Sequence, residues 1–149
     1  MSHRYQASLG ELFDTGTPLR LGVRASRDLY AGEVVEVAPV VQLRCDFESL
    51  DGELQRRVFS WHRLANMPGV HALAFGYASL YNHANPANMR YAAVANGEAI
   101  IFIAARDIPA GSELTINYNG VEGGTTSKED NWFTDAGITP IDPLRSNGV

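Results

Sequence analysis

The stretch from Leu80 to Tyr91, Leu-Tyr-Asn-His-Ala-Asn-Pro-Ala-Asn-Met-Arg-Tyr, constrains this chain more than any other. It sets three asparagines, a histidine and a proline between segments that read as buried. Asn tolerates unusual backbone angles and Pro fixes φ, so the run reads as a loop and not as a regular element. Its flanks are apolar, with Ala72-Leu73-Ala74-Phe75 before it and a strand-like Tyr91-Ala92-Ala93-Val94 after it. A polar loop framed in this way is partly buried, and buried amide and imidazole groups require partners. A satisfied structural turn and a ligand-binding loop both meet that requirement; the rest of the chain decides between them.

At 149 residues the chain fits one domain with a single core. A hydrophobic content of 45% with modest charge points to a soluble globular fold. No apolar run approaches the roughly 20 residues that span a bilayer, so no membrane segment is expected. The start, Met1-Ser2-His3-Arg4-Tyr5, lacks the apolar stretch of a signal peptide, which makes a cytoplasmic location the expectation. Cys45 is the only cysteine; it allows neither an internal disulfide nor a cysteine-based zinc site. The net charge of −5 argues against direct nucleic-acid binding, which wants a basic surface, and suits a cationic protein partner.

Residues 19–41 read as two short strands joined by a turn at Asp28-Leu29-Tyr30-Ala31-Gly32-Glu33, the second strand, Val34 to Ala38, ending before Pro39. Gly22, inside the first strand, hints at a bulge or a close backbone approach. Residues 48–64 have the apolar spacing of a short helix, with Leu50, Leu54, Val58, Phe59 and Trp61 on overlapping turns. Asn96-Gly97 between two β-like runs is a hairpin signal, since both residues accept positive φ. The segment Ala105 to Glu113 echoes Ser26 to Glu33: each reads Arg-Asp-aliphatic, then Ala-Gly with Glu close behind. They read as two similar corners of one β fold. Glu113-Leu114-Thr115-Ile116-Asn117-Tyr118 then places a tyrosine at the edge of a short apolar strand.

With these stretches in order, the chain resembles the SET-domain family of S-adenosylmethionine-dependent protein lysine methyltransferases, in its small stand-alone bacterial and viral form. Arg20-Leu21-Gly22-Val23-Arg24-Ala25 is similar to the family's N-terminal glycine motif. Asn82-His83-Ala84-Asn85-Pro86-Ala87-Asn88 is similar to its Asn-His-Ser-x-x-Pro-Asn signature, and Gly111 to Tyr118 to its Gly-Glu-Glu-Leu-Thr-x-x-Tyr signature. Either alone is a weak signal; the two in this order are specific.

The resemblance implies a mainly β SET-domain fold (a β-clip) of several small sheets. It also implies a threaded C-terminal pseudoknot and a short helical insert. It makes 1–149 a single SET domain with its core at 19–119. It implies that Leu21, Gly22, Val23, Asn82, His83 and Tyr118 hold S-adenosylmethionine, with Trp132 as a lid over the adenine. Tyr118 is then the catalytic tyrosine of the methyl-transfer channel, with Tyr81 beside it; Tyr77 and Tyr91 are further candidates for the channel wall. The expected partner is a lysine-containing, basic, histone-like protein, and the small relatives make a homodimer a state to test for. The zinc-binding cysteine cluster that follows the domain in many relatives is missing, so no metal is expected.

Three positions depart from the pattern. Arg20 stands for a glycine, Ala84 for a serine and Ala87 for a proline. Ile116 falls where relatives carry the aromatic residue that influences the number of methyl groups added. Two functional classes stay open at this point: a methyltransferase, and a weakly active or inactive SET-fold module that binds a basic peptide.

Overall fold

The computed structural model describes residues 5–124; Trp132 lies outside them. Strand β1 (Gly10–Asp14) pairs antiparallel with β2 (Leu21–Ala25), Phe13 facing Gly22 in the register. A five-stranded sheet follows in the order β4-β5-β3-β8-β7, built from β3 (Val34–Leu43), β4 (Phe59–Ser60), β5 (His71–Ala74), β7 (Met89–Val94) and β8 (Ala99–Ala104). A short parallel pair joins β6 (Asn82–His83) to β9 (Thr115–Ile116). The architecture is mainly β, in several small sheets. Among the described residues no helix is long and apolar enough to cross a membrane.

Strand β3 runs past Pro39, where the sequence pattern ends it. Val34 to Pro39 pair with β8, and Val40 to Leu43 pair with β5. Proline has no N–H to offer a ladder. It sits where the strand changes partners, and its carbonyl still accepts from Phe75 N–H at 3.0 Å. The expected helix over residues 48–64 is broken into pieces. A 3-10 turn (Phe47–Ser49), α1 (Gly52–Gln55), β4 and α2 (Trp61–Ala65) share the segment. Asp51 and Ser60 accept from Glu53 N–H and Arg63 N–H, so each starts a new helical turn. Phe59 and Ser60 pair with Ala72 and His71 instead of continuing the helix. Apolar spacing alone does not separate a helix from a short strand between two turns. Trp61 is fully buried and donates its indole N–H to the Gly97 carbonyl at 2.9 Å, docking this insert on the β7–β8 turn. That turn is the Asn-Gly hairpin, with φ of 58° at Asn96 and 84° at Gly97.

The two echoing corners pack against each other. Leu29 and Ile108, both buried, exchange main-chain hydrogen bonds at 2.8 Å. Asp28 accepts from Ala110 N–H and Asp107 accepts from Ala31 N–H, each at 2.9 Å. Each corner caps the other with its own aspartate. Because the two bonds are equivalent and exposed, Asp28→Ala and Asp107→Ala are expected to destabilise by similar amounts, about 0.5–1.5 kcal/mol each. Urea unfolding checks this; a large inequality would show that the corners are not equivalent in energy.

The C-terminal segment passes through the loop formed by residues 82–91. On one side, Thr115 and Ile116 pair with Asn82 and His83, and Ala84 N–H donates to the Ile116 carbonyl at 3.0 Å. On the other, the Tyr91 hydroxyl donates to the Asn117 carbonyl at 2.7 Å, and Tyr91 N–H donates to the Val121 carbonyl at 3.1 Å. Gly124 N–H reaches the Ala87 carbonyl at 2.6 Å. Asn88 ties the middle of the crossing: its amide donates to the Glu113 carbonyl at 2.8 Å and accepts from Thr115 N–H at 2.9 Å. Leu114 and Ile116, fully buried, belong to the hydrophobic core at the crossing.

Candidate active site

The crossing brings most of the sequence-derived site residues together. Asn82 is buried, and its amide nitrogen donates to the Leu21 carbonyl at 3.0 Å and to Glu113 Oε2 at 2.7 Å. One side chain therefore clamps the start of β2 to the segment entering β9. Burial pushes the Glu113 carboxyl up from the ordinary range, while the Asn82 hydrogen bond pushes it back. Gly22 sits at a close approach of side chains. A Cβ at that position would lie 2.7 Å from Glu113 Oε2 and 2.9 Å from the Phe13 ring. Val23 is fully buried, and its carbonyl accepts from Leu114 N–H at 2.7 Å. Of the β2 residues expected to face a cofactor, Leu21 alone has an exposed side chain.

His83 Nδ1 accepts the Tyr118 main-chain N–H at 3.1 Å, so that ring nitrogen carries no proton. The two rings lie 5.3 Å apart. The Tyr118 hydroxyl donates to the Tyr81 main-chain carbonyl at 2.7 Å. Burial raises the Tyr118 hydroxyl well above the ordinary tyrosine value, so it stays protonated at physiological pH.

Tyr81 is fully buried, and its hydroxyl turns away from Tyr118 to donate to Glu36 Oε1 at 2.7 Å. That hydroxyl also lies 2.8 Å from Ser8 Oγ. Tyr81 thus meets Tyr118 through its backbone. Tyr91, with its hydroxyl on Asn117, stands beside Phe102 in a stacked pair 5.8 Å apart.

A cavity of about 460 Å³ opens beside these tyrosines. Tyr81, Tyr91 and Tyr118 line it with Phe59, Arg57 and Arg63. The Arg57 guanidinium donates to the Ser79 carbonyl at 3.3 Å, and Arg63 donates to the Asn119 carbonyl. Leu21, Gly22, Val23, Asn82 and His83 are absent from its walls. The β2 edge with Asn82 and the aromatic cavity are therefore two distinct parts of what the sequence reading treats as one site. Tyr118 and the Tyr81 backbone join them.

Sequence reasoning missed Glu36, Glu113, Arg57 and Arg63. A trace of Glu36 is visible in hindsight, as the only charge in the apolar run from Val34 to Val41. The arginines carry no such signal, because they reach the cavity only through the broken course of the insert.

A family model for the SET domain matches residues 20–119. Among solved structures, a Plasmodium falciparum protein assigned as a histone methyltransferase superposes with a TM-score of 0.57 at 22% identity, covering 76% of this chain and 94% of that one. A chain of an active polycomb repressive complex 2 in its basal state gives a TM-score of 0.62 at 22% identity, covering 80% of this chain but 17% of that one. Likeness at this identity speaks to the fold. A comparison with curated proteins finds no match. The family model, spanning most of the chain and enclosing β2, the central loop and Tyr118, places the protein: it belongs to the SET-domain family.

Proposed function

We propose that the protein transfers a methyl group from S-adenosylmethionine to a lysine side chain of a protein substrate. Membership of the SET-domain family supports lysine methylation in general. The observation that carries the finer reading is the Tyr118 hydroxyl, kept protonated by burial and held on the Tyr81 carbonyl at the wall of an aromatic cavity.

The residues present fit the cofactor. Aromatic faces attract a sulfonium as they attract other cations. A guanidinium pairs with a carboxylate, and Arg57 and Arg63 supply two of them. The cavity falls in the range of roughly 300–1,000 Å³ usual for small-molecule sites. When bound, S-adenosylmethionine would supply an electrophilic methyl carbon. Asn82 would act from behind the cavity, clamping β2 to the segment that leads to Tyr118, and Tyr118 would fix the line of approach.

A lysine ammonium, with a reference pKa of about 10.4, must lose its proton before its nitrogen can attack. The cavity favours that loss, because its apolar and aromatic walls desolvate the charged form. The proton leaves to water, and no strong general base is required. The rate then comes chiefly from alignment.

Calorimetric titration with S-adenosylmethionine and S-adenosylhomocysteine tests the reading, followed by transfer of a labelled methyl group to a panel of lysine-containing proteins. Binding is expected, and Asn82→Ala is expected to weaken it by about tenfold or more, equivalent to about 1.4 kcal/mol. A folded sample that binds neither compound, with or without a basic protein present, would refute it.

A further inference from the structure

Glu36 is 2% exposed, and among the described residues it is the only carboxylate or cation in the buried class. It borders the irregularity in the β3–β8 register, in a run where Val35 and Val37 are buried too. Burial pushes its carboxyl up from the ordinary range, and the hydrogen bonds it accepts push it back. Its partners are neutral donors: Tyr77 N–H on Oε2 at 3.0 Å and the Tyr81 hydroxyl on Oε1 at 2.7 Å.

Those two donors flank the 3-10 turn Ala78–Leu80, so one carboxyl group pins the turn at both ends. Gly76, at φ 68°, lets the backbone come against Oε2; a Cβ there would overlap that oxygen. The Tyr81 ring is wedged edge-on against Phe102, with centroids 4.9 Å apart. What leaves the pinned turn is the Tyr81 carbonyl, and that carbonyl accepts from the Tyr118 hydroxyl.

We propose that Glu36 is a positioning residue for methyl transfer. By holding Tyr77 N–H and the Tyr81 hydroxyl, it fixes the Tyr81 carbonyl on which the Tyr118 hydroxyl is aligned. The inference rests on the methyl-transfer reading and extends it one layer into the core. A free carboxylate in this place is costly unless its oxygens are bonded. Here both bonds point at the turn that carries Tyr81.

Two variants separate positioning from bulk stability. Tyr81→Phe removes the hydroxyl link while keeping the ring and the carbonyl. Glu36→Gln keeps both polar contacts, with its amide oxygen on Tyr77 N–H and its amide nitrogen facing a reoriented Tyr81 hydroxyl. Two readouts are needed: the kcat and KM of labelled methyl transfer, and the ¹³Cζ resonance of Tyr118, which senses its hydroxyl hydrogen bond without requiring turnover.

The expected result for Tyr81→Phe is a kcat lowered about 10-fold, a KM for cofactor little changed, and a moved Tyr118 resonance, since small misalignments are costly in rate. Glu36→Gln, which keeps the contact to Tyr77 N–H but must reverse the one to the Tyr81 hydroxyl, should fall between wild type and Tyr81→Phe in kcat and in the Tyr118 resonance. An unmoved resonance with wild-type kcat overturns the proposal. So does a loss of kcat and KM together with the resonance unmoved, which would assign Tyr81 and Glu36 to stability alone. An inactive wild type that fails to bind cofactor refutes the methyl-transfer reading, and the inference falls with it. A moved resonance would then report only a structural link from Tyr81 to Tyr118.

Discussion

Tyr118→Phe is expected to lower methyl transfer by about 100-fold or more, the scale seen when a fixed hydrogen-bonding group is removed from a reacting centre. The fold should survive. The ring keeps its place beside His83, and the main-chain N–H still reaches His83 Nδ1. The loss of stability is that of one hydrogen bond to the Tyr81 carbonyl, about 1 kcal/mol. Cofactor affinity should change little, because the clamp from Asn82 to Leu21 and Glu113 does not involve the hydroxyl. Single-turnover transfer with saturating cofactor checks the rate, and urea unfolding checks the stability. A SET-fold module that only binds a peptide predicts the opposite pattern: unchanged peptide affinity and no turnover in either protein. Wild-type turnover in Tyr118→Phe would remove Tyr118 from the chemistry.

Asn88→Ala is expected to cost about 3–5 kcal/mol, near the upper end for a single substitution. Asn88 is 5% exposed, and its amide uses both ends. Its oxygen also accepts from the Thr115 hydroxyl at 3.2 Å. Alanine would leave the Glu113 carbonyl and Thr115 N–H inside the crossing without those partners. A domain of this size has about 5–15 kcal/mol in total, so the variant should melt far below wild type or fail to accumulate folded. Equilibrium denaturation measures it. A loss under about 1 kcal/mol would mean that water reaches the crossing and replaces the amide.

These two sites differ in how much of them is readable from the chain. The polar loop between apolar flanks marked Asn82, His83 and Asn88 as groups in need of partners, and the partners are there. The Arg-Asp-aliphatic echo marked two corners, and they cap each other. Gly22 marked a close approach, and Glu113 and Phe13 crowd it. Such features are local: residue type and spacing state a backbone or hydrogen-bonding requirement directly.

What the chain did not disclose depends on pairings between distant segments. The apolar spacing in residues 48–64 was as compatible with one helix as with the broken course adopted. The pairing of Phe59 with Ala72 decides the matter, and nothing near Phe59 announces it. Tyr81 stood beside Asn82 and so invited a place in the channel. It does line the cavity, while its hydroxyl is drawn inward by Glu36, a residue that comes close only because β3 lies in the middle of its sheet. Pro39 looked like an end because the change of strand partner that accommodates it cannot be seen in one dimension.

The passage of residues 114–124 through the loop at 82–91 also has a consequence in time. A ribosome delivers the chain from its N-terminus, and contacts between distant segments are slow to form. A nascent chain that has emerged only as far as β8 possesses the loop but lacks β9, which pairs with it, and Tyr118, whose hydroxyl reaches the Tyr81 carbonyl. The contact between the two tyrosines therefore forms only with the last stretch of the described fold. A chain that stops before Tyr118 cannot form the Tyr81–Tyr118 contact, so that half of the site stays open until the segment beyond β8 has been made.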